Sequence, residues 1–270
     1  MAALLALFGH PVSHSVSPWL HGCFARQTGI ALSYERVDTA AGGLPAALSR
    51  FAREDGLGGN VTLPLKHEAL ECCASVSERA REAGAVNTLK RESGEWLGDN
   101  TDGAGFVRDL TVNLGFAPVG RRVLVAGAGG AVAGILAPLL ATGPQALFLA
   151  NRNPGRAIEL ARRSADPRAA GCSYAVLEDL PPFDLIVNAT AAGHAGETPP
   201  FPTGVLAEGG WCYDLSYGAP ASPFLDWARE NGAARAADGR GMLVEQGAES
   251  FRLWFGVRPD TSGLIERVPA

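Results

Sequence analysis

A basic excess is missing from this chain. Its 23 lysines and arginines are outnumbered by 28 aspartates and glutamates, a formal net charge of −5, and there is no long basic run. Nucleic-acid binding therefore has no electrostatic support. Long apolar runs are missing as well, so no stretch is expected to span a bilayer. The apolar start, Met1 to Phe8, is short, has no basic region and runs into Gly9-His10-Pro11. It reads as a buried strand and not as a signal peptide. Cysteine is scarce: Cys23, Cys72, Cys73, Cys172 and Cys212 are odd in number, two are adjacent, and none is spaced as CxxC. That argues against a disulfide framework and a zinc site and suits reduced thiols in a cytoplasmic protein. The five histidines show no ligand spacing, so no metal is expected. What is present is 47% hydrophobic and 19% charged residues over 270 positions. This is the composition of a soluble globular protein with a real core, large enough for one big or two modest domains.

The first part of the chain alternates strands and helices. Leu4 to Phe8 is a strand, and the loop Gly9 to Val16 leads to a helix at Ser17-Pro18, with Ser17 expected as N-cap and Pro18 at the first helical position. The further hydroxyls Ser13 and Ser15 gather at that helix start, where an anionic or polar small molecule can bind. Leu32 to Val37 is a strand and Leu44 to Phe51 an amphipathic helix. Val61 ends a strand that Pro64 stops. Lys66 then falls in the first turn of a helix, where a cation is disfavoured. Ser77 to Ala83 reads as a short capped helix, Gly84 to Leu89 as a strand, and Glu92 to Glu95 as a turn. Next comes Gly98-Asp99-Asn100-Thr101-Asp102-Gly103, a good turn in which Thr101 or Asp102 can cap the helix that carries Phe106, Leu110 and Leu114.

The second part has the order of a dinucleotide-binding fold. Strand Arg121 to Ala126 runs into Gly127-Ala128-Gly129-Gly130-Ala131, then a helix to about Leu140, then strand Ala146 to Ala150. The glycines allow a tight turn and close approach of backbone N–H groups to a pyrophosphate. Pro138 should kink the helix. After the second strand stand Asn151-Arg152-Asn153 and Arg156. No carboxylate is there to repel a 2′-phosphate, and two guanidiniums can pair with it, which favours NADP over NAD. Strands 184–188 and 211–215, each ending in a polar loop, imply a parallel sheet covered on both faces. The tail, from Met242 to Trp254, is a helix that can return to the first domain and make it discontinuous.

Together these motifs resemble the shikimate dehydrogenase family. The resemblance rests on His14-Ser15-Val16-Ser17-Pro18, Asn60 to Lys66, Ala85-Val86-Asn87-Thr88, Gly98 to Gly103, Gly127 to Ala131, Asn151-Arg152, Asn188-Ala189-Thr190, Asp214-Leu215-Ser216-Tyr217 and Gly241 to Gln246, in order over nearly the whole chain. It implies an α/β protein: an N-terminal α/β substrate domain (1–103 with 239–270) and a Rossmann-like, doubly wound NADP-binding domain (104–238), with a cleft between them. It implies NADPH-dependent reduction of 3-dehydroshikimate to shikimate on the way to aromatic amino acids. By the same resemblance Ser15 and Ser17 hold the substrate carboxylate. Thr62, Asn87, Tyr217 and Gln246 also contact substrate, and Lys66 and Asp102 form the catalytic pair. Gly127, Ala128, Gly129, Gly130, Ala131, Asn151, Arg152, Asn153, Arg156, Leu215, Gly239 and Glu78 match nucleotide-binding positions. Three positions depart from the family's usual pattern: Asn153 stands for a common Thr, Ala133 for a frequent Arg, and His10 for a frequent Asn.

Reducing a ketone needs a hydride on one face and a proton for the developing alkoxide. Lys66 can stabilise that charge and give the proton, a role that burial favours, with Asp102 orienting it. Two other readings stand beside this one. The chain can be a quinate/shikimate dehydrogenase using NAD or both cofactors, or a non-catalytic sensor that keeps the pocket to bind metabolite and nucleotide. Oligomeric state is not readable from the residues, a homodimer being one option.

Overall fold

In the computed structural model, which describes residues 2–269, the chain divides into two units. One is made of the residues up to Gly105 together with Leu243–Pro269, the other of Phe106–Met242.

The first unit contains β1 (Ala3–Gly9), α1 (Ser17–Thr28), β2 (Leu32–Asp38), α2 (Leu44–Arg53), β3 (Gly56–Val61), α3 (Lys66–Glu71), β4 (Ser75–Val76), α4 (Glu78–Ala83), β5 (Thr88–Glu92), β6 (Glu95–Asp99) and the start of α5 (Asp102–Arg108). The six strands lie in the order β2-β1-β3-β5-β6-β4. β1 runs parallel to β2 and β3, while β3, β5 and β6 alternate in direction. β1 is apolar throughout because it is a central strand with both faces covered. On one face Phe8 packs with Leu48, Phe51, Val61 and Leu65. A separate cluster joins Leu20 and Phe24 of α1 to Val244 and Phe251.

Two sequence expectations fail here. Ser17 does not cap α1: it is the first helical residue and carries no capping bond. Ser15 Oγ accepts from the Ser17 N–H instead, at 3.2 Å. Residues 84–87 are not strand. Gly84 closes α4 in the left-handed region, at φ 59°, and the Val86 N–H is drawn to the Lys66 carbonyl at 2.9 Å. β5 begins only at Thr88.

The second unit continues α5 from Phe106 and adds β7 (Arg122–Ala126), α6 (Gly130–Ala141), β8 (Ala146–Ala150), α7 (Pro154–Arg163), β9 (Ala169–Cys172), β10 (Phe183–Asn188), β11 (Leu206–Asp214), α8 (Ser222–Glu230), β12 (Arg235–Ala237) and the first turn of α9 (Arg240–Phe255). Every strand pair is parallel, in the order β12-β11-β10-β7-β8-β9. Successive residues of a central strand feed opposite cores. Val123, Val125, Leu185 and Val187 pack on one face with Ile135 and Leu139, and Leu124 and Ile186 on the other with Phe224. This is the doubly covered parallel sheet that the strand–helix alternation implies. The helix expected through Leu114 departs from plan: α5 ends at Arg108 and residues 109–113 form a single π-turn.

Among the described residues no helix is long and apolar enough to cross a membrane, and no three potential ligands gather around a metal position.

Candidate active site

Four candidate polar residues of the first unit, Lys66, Asn87, Asp102 and Gln246, converge on one buried network. α3 begins at Lys66, which sends its ammonium inward, and Lys66 Nζ lies 2.5 Å from Asp102 Oδ2. The pair is well shielded, with side chains 17% and 8% exposed. Asn87 Nδ2 donates to the other oxygen, Asp102 Oδ1, at 2.7 Å. Asn87 Oδ1 in turn accepts from the Thr101 N–H at 2.8 Å. Among the described residues, neither the Thr101 hydroxyl nor the Asp102 carboxylate accepts a main-chain N–H at the start of α5. Asn100 Oδ1 accepts from the Asp102 N–H at 3.1 Å, which frees the Asp102 carboxylate to face lysine and amide. Gln246 Oε1 lies 3.4 Å from both Asn87 Nδ2 and Thr101 Oγ1. That approach depends on Gly105: a Cβ there would stand 2.5 Å from the Gln246 nitrogen.

Under these residues lies a layer that sequence reasoning missed. Asn60 Nδ2 donates to Ser250 Oγ at 2.9 Å and its Oδ1 accepts from the Tyr34 hydroxyl at 2.8 Å. Ser250 Oγ is also 2.8 Å from Thr88 Oγ1. Asn60, Thr88 and Ser250 are buried, so each needs a partner, and satisfying them fixes the floor beneath Asn87. His21 stacks on Tyr34 with ring centroids 4.4 Å apart. Its burial drives its pKa down to about 3, which keeps it a neutral ring in the core. A readable signal existed for Asn60 and Ser250: polar residues at positions that otherwise read as core.

At the start of α1, Ser15 Oγ and Ser17 Oγ stand 3.1 Å apart. Arg36 clamps the Ser15 carbonyl through Nε and Nη2 at 3.0 and 2.5 Å. The Thr62 hydroxyl makes no hydrogen bond among the described residues, while its main chain is fixed by Phe8 and Leu65. His10 Nδ1 is 2.5 Å from Asp38 Oδ1. Glu78 opens α4, exposed to solvent, and its carboxylate makes no hydrogen bond or ion pair among the described residues.

In the second unit Gly127 leaves β7 at φ 124°, and a Cβ there would press 3.0 Å from the Ala189 carbonyl. Only glycine fits such a turn. Gly129 then occupies the N-cap of α6 with no side-chain cap, so the helix presents unpaired N–H groups of the kind that cradle phosphate oxygens. Asn153 is used differently: its Oδ1 accepts from the Gly155 N–H at 3.1 Å and caps α7. Asn151 Nδ2 donates to the Asn153 carbonyl at 2.9 Å. Arg152 and Arg156 are exposed, and neither guanidinium forms a hydrogen bond or ion pair among the described residues. The residues present thus fit a dinucleotide with an added phosphate: a glycine cradle for the pyrophosphate and two uncommitted guanidiniums.

Asn188 and Asp214 tie together the loops that follow β10 and β11. Asn188 Nδ2 donates to Asp214 Oδ2 at 2.7 Å. The Ser216 N–H donates to Asp214 Oδ1 at 2.7 Å, and the Leu215 N–H to the Asn188 carbonyl at 2.8 Å. Burial, with Asp238 nearby, pushes the Asp214 carboxyl up to about 6 despite these donors. Tyr217 is half-buried, which raises its phenol pKa, and its hydroxyl makes no hydrogen bond among the described residues. Gly239 has no room for a side chain, the Leu215 carbonyl lying where its Cβ would go.

A parallel sheet with a glycine turn, in a chain whose other α/β unit buries a lysine–aspartate pair, is the make-up of a dinucleotide-linked dehydrogenase. Residues 7–89 match the shikimate dehydrogenase substrate binding domain and residues 239–268 the shikimate 5′-dehydrogenase C-terminal domain. The chain belongs to the shikimate dehydrogenase family. It is 47% identical over 270 residues to a shikimate dehydrogenase (NADP(+)) of Dechloromonas aromatica, covering 100% of this chain and 98% of that protein. Among solved structures, the Ael1 enzyme of Pseudomonas putida matches with a TM-score of 0.93 at 42% identity, over 100% of this chain and 99% of that one. The Thermus thermophilus shikimate 5-dehydrogenase in complex with NADP(H) and shikimate matches with a TM-score of 0.87 at 37% identity, over 98% of each chain.

Proposed function

We propose that this protein is an oxidoreductase of aromatic amino-acid biosynthesis that reduces 3-dehydroshikimate to shikimate with NADPH. The observation that carries the reading is the shielded contact of Lys66 Nζ with Asp102 Oδ2, at 2.5 Å. NADPH, when bound, supplies the hydride that adds to the substrate's carbonyl carbon. Lys66 meets the developing alkoxide as an ammonium, stabilises its charge and transfers one proton to the oxygen, leaving the hydroxyl of the product and a neutral amine that solvent reprotonates. Asp102 keeps Lys66 aimed, and Asn87 fixes Asp102 by its second oxygen. Ser15 and Ser17 offer two hydroxyl donors to the substrate carboxylate, and Thr62, Asn87, Gln246 and Tyr217 supply donors and acceptors for the ring hydroxyls. Gly127 to Ala131, Leu215 and Gly239 take the dinucleotide, and Arg152 and Arg156 its 2′-phosphate. All five cysteines are free thiols, which suits a reducing, cytoplasmic setting.

The test is an absorbance assay of NADP reduction with shikimate, repeated with NAD and with quinate. Preference for the first combination supports the proposal. Faster turnover of quinate, or of NAD, would replace it with the quinate or dual-cofactor reading. Tight shikimate binding without turnover would replace it with a metabolite sensor. Lys66→Met should lower kcat by about 10²- to 10⁴-fold while KM changes little. An unchanged kcat would remove Lys66 from the proton transfer.

A further inference from the structure

Arg79 has a place in the first unit that no step above uses. It stands in the first turn of α4, next to exposed Glu78, and turns the other way. Its Nε and Nη2 reach Asp99 Oδ1 and Oδ2, both at 2.6 Å. This is the parallel, two-bonded fork that only arginine makes with a carboxylate. Ser77 Oγ donates to Asp99 Oδ1 at 2.5 Å, and the Asn100 N–H to the same oxygen at 2.7 Å. Asp99 is buried. Burial alone would raise its carboxyl, but the Arg79 guanidinium, Ser77 and the Asn100 N–H hold it below the ordinary range. It is thus a fixed anion with every partner in place.

Two lines of hydrogen bonds run from this anion to the Lys66–Asp102 pair. Along the main chain, the Asp99 carbonyl accepts from the Asn87 N–H at 3.0 Å, and Asn87 Nδ2 grips Asp102 Oδ1. Along the loop, Asn100 is oriented at both ends. Its N–H meets the Asp99 carboxylate, its Nδ2 donates to the Ala85 carbonyl at 2.9 Å, and its Oδ1 accepts from the Asp102 N–H. Asn87 and Asp102 therefore share one upstream anchor. We infer that Arg79 is a positioning residue for catalysis: through Asp99 it sets where the Asp102 carboxylate, and hence the Lys66 ammonium, stands. The inference rests on the roles proposed above for Lys66 and Asp102.

A residue that only stapled α4 to the sheet would affect folding and not chemistry, so the test is a mutant cycle. Arg79→Met and Asp102→Asn are made singly and together in the full-length enzyme. Single-turnover rates are read at high enzyme concentration and divided by the folded fraction from near-UV circular dichroism. Misplacing a catalytic group by about 1 Å costs about 10²-fold, so Arg79→Met should slow the parent by about 10- to 100-fold. In the Asp102→Asn background, where the aimed carboxylate is gone, it should cost less than about threefold. KM for NADP should not move, and Arg79→Lys should recover only part of the rate, having one ammonium where a fork is needed. If Arg79→Met is poorly folded, Asp99→Asn carries the same cycle with a gentler change. Equal losses in both backgrounds would overturn the inference, as would a full rate per folded molecule in Arg79→Met. An Asp102→Asn enzyme with parental activity would instead refute the assigned pair, which keeps the two failures apart.

Discussion

Replacing Asp214 with asparagine should change how the protein's stability depends on pH. Asp214 is 1% exposed and faces two donors, Asn188 Nδ2 and the Ser216 N–H. Its carboxyl titrates near 6 in the fold against 3.8 for an ordinary one, chiefly because burial penalises the charge. Folding thus raises its affinity for a proton, so protonation favours the folded form. The stabilisation is complete below the unfolded value and is lost as pH rises through the folded one. Over that window the difference amounts to about 3 kcal/mol. An asparagine cannot titrate, but it offers one acceptor to two donors, at a pH-independent cost of about 1–2 kcal/mol. The variant should therefore be clearly less stable than the parent near pH ~4, where most of the difference is present, and should regain about 2.5 kcal/mol relative to it by pH ~7.5. Urea unfolding of both proteins at the two pH values, followed by circular dichroism, measures this. Comparing them at equal pH cancels the titrations they share. A stability difference equal at both pH values would refute the reasoning and show that Asp214 stays ionised throughout.

Three further outcomes follow from the geometry. Ser15→Ala removes one carboxylate donor and the acceptor for the Ser17 N–H; KM for shikimate should rise about 5- to 10-fold with kcat nearly kept, about 1–1.5 kcal/mol for one hydrogen bond, read in steady-state kinetics. Arg152→Ala with Arg156→Ala should raise KM for NADP at least about tenfold and leave KM for NAD within about twofold, since only the 2′-phosphate loses its charge-assisted partners; a parallel rise for both cofactors would place the arginines elsewhere. Gly105→Ala should lower stability by about 1–3 kcal/mol through overpacking against Gln246 and should lower kcat/KM with it, measured by thermal unfolding and the shikimate assay.

Contiguous features could be read from the residues, and features assembled across the chain could not. The glycine turn was legible because strand, turn and helix follow one another between Arg122 and Ala141. The hairpin at Ser93-Gly94 was legible because both residues sit at positive φ, as its turn chemistry requires. The 84–87 segment read as strand because its apolar residues satisfy either pattern. What decides it is a bond to the Lys66 carbonyl from another element. The π-turn at 109–113 was invisible because a slipped hydrogen bond leaves the apolar spacing almost unchanged. Ser17 looked like a cap because a serine before a proline usually is one. Two residues earlier, Ser15 takes up the Ser17 N–H, and its hydroxyl donates to the Ser17 hydroxyl. In the second layer of the site, Asn60 and Asn100 lie inside recognisable motifs but Arg79 and Ser250 do not, and no motif says what any of the four would touch. Each becomes meaningful only beside residues up to 190 positions away, as Asn60 is from Ser250.

That separation has a consequence for how the protein is made. The first unit is interrupted after Gly105 and completed only from Leu243, so a nascent chain synthesises the whole of the second unit before the first can close. At about 5–20 residues per second, β1 to β6 wait on the order of ten seconds for α9, with the polar groups of Asn60 and Thr88 still lacking Ser250. Premature termination anywhere in the insertion would leave Asn87 and Asp102 on an unfinished scaffold. The lysine–aspartate pair thus sits in a unit whose last segment, Leu243–Pro269, is also the last to be synthesised.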